Sequence, residues 1–373
     1  MTQRFLIATA LVSLVGCSGA PEAAAPDDPA TGTATSELKL APGGAIFTQT
    51  NEASGNRVLA FARHADGTLD APVSYSTTGT GSGDSLGSQG SLVLTDDRRF
   101  LIVTNAGSSD VSTFRVDGAK LAFVTRVDSQ GTRPTSVAER GGVVVVLNAG
   151  GDGNVASFHL DSRGDLRPTG SPSALSSTSA GPAEVALDPA ARFAVVTEKN
   201  TNDIDVYGVE RGRLMLAGTA PSAGKTPYGF DFDSRGHIIV SEAATTSVSS
   251  YDLSRRGSLS VVSAVISDTQ AAPCWVVVSK DDRFAYVANA GSSSISSYSV
   301  DRSGDVQLVN ARAGETGEGS HPLDMDIDAS GKYLYVLDSG ESVVGFRIAR
   351  DGDLDAITSA GTLPPFAAGV AAY

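Results

Sequence analysis

The chain has 373 residues, with 28 Lys and Arg against 42 Asp and Glu, a formal net charge of −14. That balance argues against nucleic-acid binding, which draws on a basic patch, and a total of 2 Cys excludes a disulfide-rich framework. A hydrophobic content of 41% is ordinary for a globular protein and too high for disorder.

The first element in chain order is an address. Arg4 supplies a positive start, Phe5 to Val15 is apolar apart from Thr9 and Ser13, and the run ends Leu14-Val15-Gly16-Cys17. It is too short for a stop-transfer helix. Its end resembles the lipobox of bacterial lipoproteins, in which the cysteine is lipidated and becomes the mature N-terminus. The resemblance implies a signal peptide over residues 1–16, lipidation at Cys17, and a lipid-anchored place in the cell envelope, on the outer-membrane, periplasmic or surface side. The expected membrane contact is through the anchor only. Residues 18–38 hold Ala, Pro, Gly, Thr and Asp with almost no large apolar side chain, so 17–40 reads as a flexible tether.

From residue 41 onward one pattern recurs. An apolar strand ends in a small polar cluster, an alternating strand follows, and a Gly turn leads to a further strand. Copies include FLIVTNAGSSDVSTFRVDGAKL, FAVVTEKNTNDIDVYGVERGRL and FAYVANAGSSSISSYSVDRSGDV. The polar residue closing the apolar strand is Asn51, Asn105, Asn148, Glu198, Glu242, Asn289 and Asp338. These positions lie roughly 43–54 residues apart, the span of a four-stranded propeller blade. Six copies are preceded by a further strand, such as AEVALDPAARF or CWVVVSKDDRF, and the first copy, at Ala45, is not. The last residues, Phe366 to Tyr373, are strand-like with no partner after them. The sequence therefore predicts an all-β fold over 41–373: a seven-bladed β-propeller of four-stranded antiparallel blades, its ring closed by the C-terminal strand.

In this topology the starts of the inner strands and the ends of the second strands ring the channel on one face, the top. The repeat register places Gln89, Arg133, Glu184, Glu198, Lys199, Lys225, Tyr228, Glu242, Cys274, Trp275, His321, Asp324 and Asp338 there. Two consecutive blades carry Glu198 and Glu242 where four others carry Asn. Neighbouring carboxylates repel, so one can stay protonated and act as an acid; alternatively both are solvated or paired with Arg133, Lys199 or Lys225. Those cations suit an anionic substrate, or are ordinary surface charges. Cys274 is a thiolate candidate or an inert buried thiol, and Trp275 a stacking wall or core. Strand alternation puts these two on opposite faces. Of the four His, His64 and His159 fall on outer strands and His237 on the opposite face, leaving His321 near the mouth. The Asp-Gly turns (Asp66-Gly67, Asp351-Gly352) and Gly-Asp turns (Gly164-Asp165, Gly304-Asp305) read as hairpins rather than calcium loops. No zinc spacing, P-loop or dinucleotide fingerprint is present, so neither metal nor cofactor is expected.

Ile102-Val103-Thr104-Asn105 and Tyr286-Val287-Ala288-Asn289 resemble the Tyr-Val-Thr-Asn-type repeats of the seven-bladed lactonase propellers, and the likeness covers about residues 41–373. Members hydrolyse 6-phosphogluconolactone or interconvert carboxymuconate and its lactone, using His, Arg and acidic residues at the channel mouth. The stretch matching the His-x-His pair of many members is Gly181-Pro182-Ala183-Glu184, which has no His; the acidic residue after the next strand has a counterpart in Glu198. The resemblance implies a hydrolase that opens a sugar, phosphosugar or carboxylated lactone by acid–base activation of water. Glu198 and His321 would be catalytic, and Arg133, Glu184, Lys199, Tyr228, Glu242 and Trp275 would bind substrate. The alternative is a non-enzymatic envelope propeller that presents its top face to a ligand or a protein partner.

Overall fold

The computed structural model describes residues 42–339 and 342–373; the leader, Cys17 and the tether lie outside the described residues. Seven antiparallel sheets form the blades. Blade 1 combines the C-terminal strand Ala368–Ala372 with Pro42–Gln49, Arg57–His64 and Val73–Ser76. Blades 2 to 7 follow in chain order, with inner strands Leu92–Leu94, Pro134–Arg140, Pro182–Leu187, Pro227–Phe232, Pro273–Val278 and Pro322–Ile327. The ring closes as the sequence predicts: Ile46 pairs with Ala372 and Phe47 with Ala371. Tyr373 and Ala45 exchange both backbone hydrogen bonds at 3.0 Å.

Burial is deepest at the second strands and falls from there toward the outer edge of the blades. Second strands such as Phe100–Asn105 and Phe284–Asn289 are buried at every position, because they lie between two strands of their own sheet and between neighbouring blades. This is why their residues read as continuous apolar runs. Fourth strands such as Lys120–Asp128 are largely exposed. Blade 3 departs from the plan: its outer strand is split into Leu166–Pro168 and Ser173–Ala174, both pairing Asn154–Leu160. Pro168 and Pro172 flank the break, and proline cannot donate to a ladder.

The turns between third and fourth strands are hairpins. Gly67, Gly164, Gly304 and Gly352 take φ of +89°, +96°, +81° and +94°, a region that favours glycine. Each also packs on a ring that opens the second strand of the preceding blade: Tyr333, Phe100, His237 and Phe284 respectively. A Cβ at any of these glycines would stand 2.4–2.6 Å from its nearest neighbour there. The same glycine therefore makes the turn and the joint between blades, and His237 is accounted for as a packing ring held by Asp233 at 2.7 Å.

Candidate active site at the channel mouth

Five inner strands begin with proline, at 134, 182, 227, 273 and 322, and in each the pairing with the second strand slips just after it. Proline suits a strand's first position, and a bulge re-aims the side chains that follow. The slip between Pro273 and Trp275 also breaks simple alternation: Cys274 and Trp275 are both buried in one cluster with Tyr228.

Inner strands of adjacent blades do not pair, so their N–H edges need other acceptors. Residues two places after three of these prolines supply them. The Ser136 hydroxyl accepts from Val185 N at 3.1 Å, Glu184 from Phe230 N at 2.6 Å, and Asp324 from Gly369 N at 3.0 Å. Two residues further along, Asp231 accepts from Val278 N at 2.8 Å and Asp326 from Ala372 N at 2.9 Å. Blade 5 has Gly229 in the first of these positions, and Gln89 fills the gap from outside the blade. Its Oε1 accepts from Val276 N at 2.9 Å, its Nε2 donates to Val276 O at 2.8 Å, and its backbone N–H donates to Ala183 O at 3.0 Å. A Cβ on Gly229 would stand 2.1 Å from Gln89 Oε1. The next amide, Gly90 N–H, donates to Asp324 at 3.0 Å. Gln89 thus plugs the channel near its top.

Below the plug lies a cavity of about 490 Å³ lined by Glu184, Asp231, Asp324 and Asp326, with Lys280 and Arg140 among its other walls. Burial raises these carboxyls: Asp324 to about 7, Asp231 to about 6, and Glu184 well above the usual range. Glu184 belongs to this cavity.

Above the plug, the segment from Gly83 to Ser88 straps the mouth. Arg133, held at φ +55° before Pro134, donates from Nη2 to Asp84 Oδ1 at 3.0 Å and to Ser85 O at 2.9 Å. Lys199 Nζ donates to Gly87 O and lies 4.9 Å from the centre of the Tyr228 ring; burial lowers its pKa to about 8. Tyr228 meets Trp275 edge-on at 5.1 Å, and Trp275 Nε1 donates to Ser88 O at 3.0 Å. Beside the strap, a pocket of about 120 Å³ is lined by Trp275, His321, Phe366, Asp324 and residues 85–88. His321 Nδ1 donates to Ala290 O at 2.9 Å and its backbone N–H donates to Asp338 at 2.7 Å. A carbonyl only accepts, so the neutral ring carries its proton on Nδ1 and its lone pair on Nε2.

Glu198 and Glu242 stand elsewhere. Glu198 is fully buried; its carboxylate accepts from the Ser176 hydroxyl at 2.6 Å, Ser176 N at 3.2 Å and Thr201 Oγ1 at 2.7 Å. Glu242 accepts from the hydroxyls of Ser222 and Ser249 and, at 3.4 Å, from Tyr251. Burial raises both carboxyls. In blade 3 the equivalent Asn148 donates to Ser129 O at 3.0 Å. In all three blades the residue fastens the segment leading into the blade's own inner strand. Where that segment offers a hydroxyl donor the chain places a carboxylate; where it offers a carbonyl the chain places an amide.

The structure therefore gathers Arg133, Lys199, Tyr228 and Trp275 about the strap, sets His321 beside them, and places Glu184, Glu198 and Glu242 in the channel and the blade walls. Sequence reading missed the strap. Its signal is length: residues 77–91 join blades 1 and 2, whereas the other connections into inner strands run five to seven residues.

The family model for the seven-bladed lactonase β-propeller matches residues 31–179, 152–259 and 239–367. The chain belongs to that family. No functionally curated protein matches it. Among solved structures, a Lactobacillus plantarum protein superposes with a TM-score of 0.72 at 16% identity, covering 88% of this chain and 98% of its own. The periplasmic gluconolactonase of Pseudomonas aeruginosa gives 0.69 at 18%, covering 86% and 97%. A 6-phosphogluconolactonase candidate from Bacteroides fragilis gives 0.68 at 18%, covering 87% and 97%. At these identities the likeness is one of fold.

Proposed function

We propose that this lactonase-family propeller opens a sugar or carboxylated lactone at its top mouth, with His321 as the general base. The observation that carries the reading is the fixed imidazole: Nδ1 is committed to Ala290 O, and the ring lines a pocket walled by Trp275. Nε2 takes a proton from water as the oxygen adds to the lactone carbonyl carbon. The ring C–O bond of the tetrahedral intermediate then breaks, and the departing alkoxide takes the proton back from His321. Arg133 and Lys199 hold an anionic substituent, and Tyr228 and Trp275 supply flat walls. Glu198 acts from the blade wall, holding the segment at Ser176. The lipid anchor at Cys17 would tether this chemistry to the envelope.

The test is turnover of a lactone panel by the wild-type chain beside His321→Ala, with folding checked by circular dichroism. Loss of about 10²-fold or more in kcat is expected of a missing general base. The binding-only reading draws on one observation, that the donors of the mouth already hold a segment of the chain. Absence of turnover by the wild type on every lactone would select it.

A further inference from the structure

The donors at the mouth converge on one short piece of chain. Arg133 grips the Asp84 carboxylate and Ser85 O, Lys199 takes Gly87 O, and Trp275 takes Ser88 O. A guanidinium on a carboxylate, with an ammonium and an indole N–H on neighbouring oxygens, is the recognition set for an acceptor-rich organic acid.

The piece of chain that fills this set is lightly held. Gly83, Asp84 and Ser85 are exposed, Leu86 and Gly87 half-buried. Among the described residues, Ser85 to Ser88 take part in no backbone–backbone hydrogen bond. The Arg133–Asp84 pair is open to solvent, with side chains 35% and 59% exposed, and such pairs contribute little. The two ends are firm by contrast. Gly83 N–H donates to Asn51 O at 3.0 Å on one side, and Gln89 is locked into the channel on the other. Gly83, Gly87 and Gly90 take φ of +70°, +61° and +72°, conformations that leave the segment few steric barriers to rearrangement. Between the ends the strap is held by side-chain contacts alone: Asn51 Nδ2 donates to Asp84 O at 2.8 Å, and on the buried side Ser88 Oγ donates to Thr135 O at 2.8 Å. A segment with firm ends, glycine pivots and no backbone ladder between them sits at the low-stability end of a fold.

We propose that residues 84–88 are a built-in stand-in for the ligand: an acceptor-rich small carboxylic acid binds by lifting the strap, its carboxylate replacing that of Asp84 on Arg133. The inference rests on the preceding reading only in placing the ligand at this mouth, and it holds whether or not the ligand is then hydrolysed.

Trp275 is the chain's single tryptophan, and its N–H is bonded to the strap, so its fluorescence reports the strap directly. The experiment titrates the detergent-solubilised full chain with D-gluconate, with cis,cis-muconate, and with D-glucose as a neutral control. At least one acid is expected to shift Trp275 emission saturably, and glucose to leave it unchanged. Asp84→Asn, at an exposed position, is expected to bind that acid about two- to fivefold more tightly, because less of the binding free energy goes into opening the strap. Exchange of the Trp275 indole N–H, which donates to Ser88 O on the strap, is expected to quicken in the same variant while exchange in Phe100–Asn105 is unchanged. Arg133→Ala is expected to lose the acid by tenfold or more. The proposal is overturned if neither acid moves the emission, if glucose moves it equally, or if Asp84→Asn leaves both affinity and indole N–H exchange as in the parent. Acid binding with these properties but no lactone turnover would sink the hydrolase reading and leave the strap intact.

Discussion

The two ends of the central channel are unlike. The cavity below Gln89 is walled by carboxyls, Glu184 and Asp324 buried and Asp231 and Asp326 half-buried, each accepting a backbone N–H from the neighbouring inner strand. The mouth above Gln89 is ringed by donors whose partners are the carbonyls and carboxylate of a lightly held strap. Polar residues below the plug complete the backbone bonding that a ring of unpaired inner strands requires. Those above it hold something that can be exchanged. Residue type alone does not separate the two roles: Glu184 and Arg133 are both charged and both lie within two residues of the proline that opens an inner strand, and only their partners tell them apart.

The ring that carries both ends can be broken first. Deleting Phe366–Tyr373 removes the inner strand of blade 1, its pairing with Pro42–Gln49 and the acceptance of Ala372 N–H by Asp326. The expected loss is roughly 5 kcal/mol or more, read as a collapsed or absent unfolding transition in urea. A truncated chain with the parent's midpoint would contradict ring closure as the source of stability.

The lower end is sharpened by pH. Asp324 and Asp231 are pushed up to about 7 and about 6 by burial, whereas an unfolded carboxyl titrates near 4. The native state therefore keeps protons that the unfolded state has released between about pH 4 and pH 7, and stability falls as pH rises through that window. Between pH 8 and pH 5 the gain is about 2–4 kcal/mol, measured as a higher urea midpoint at pH 5. Asp324→Asn should reduce that gain, and a midpoint that rises with pH would refute the assignment.

A smaller effect separates wall from mouth. Glu198→Gln presents an amide to donors at Ser176 and Thr201, and a mismatch of this kind costs about 1–2 kcal/mol. Stability should fall by that amount while kcat for any lactone that is opened stays within a few-fold of the parent. A large loss of kcat with unchanged stability would return Glu198 to the chemistry.

The architecture was legible because a blade is a local unit. Asn105, Asn148 and Asn289 recur at blade spacing, and the unpartnered run ending at Tyr373 announces the closing strand. The mouth was legible only in part, because its contacts are not local. Gln89 bonds to Val276 and Trp275 bonds to Ser88 across 187 residues, and no periodicity encodes such a pair. The exchange of Asn for Glu at 198 and 242 was a true signal of a changed partner. The partners are Ser176 and Ser222, which lie in connecting segments where sequence pattern says little. His321 is singled out by elimination, since the repeat register places the other three His on outer strands or at the opposite face.

The central claim is that the chemistry of this propeller lies at the strapped mouth, on His321. Ring opening of sugar, phosphorylated and carboxylated lactones by the full chain, followed as acid release beside His321→Ala, tests it most directly. The account predicts turnover of at least one lactone by the parent and a fall of about 10²-fold or more in the folded variant. Equal turnover by parent and variant, or none by the parent on any member, would contradict it.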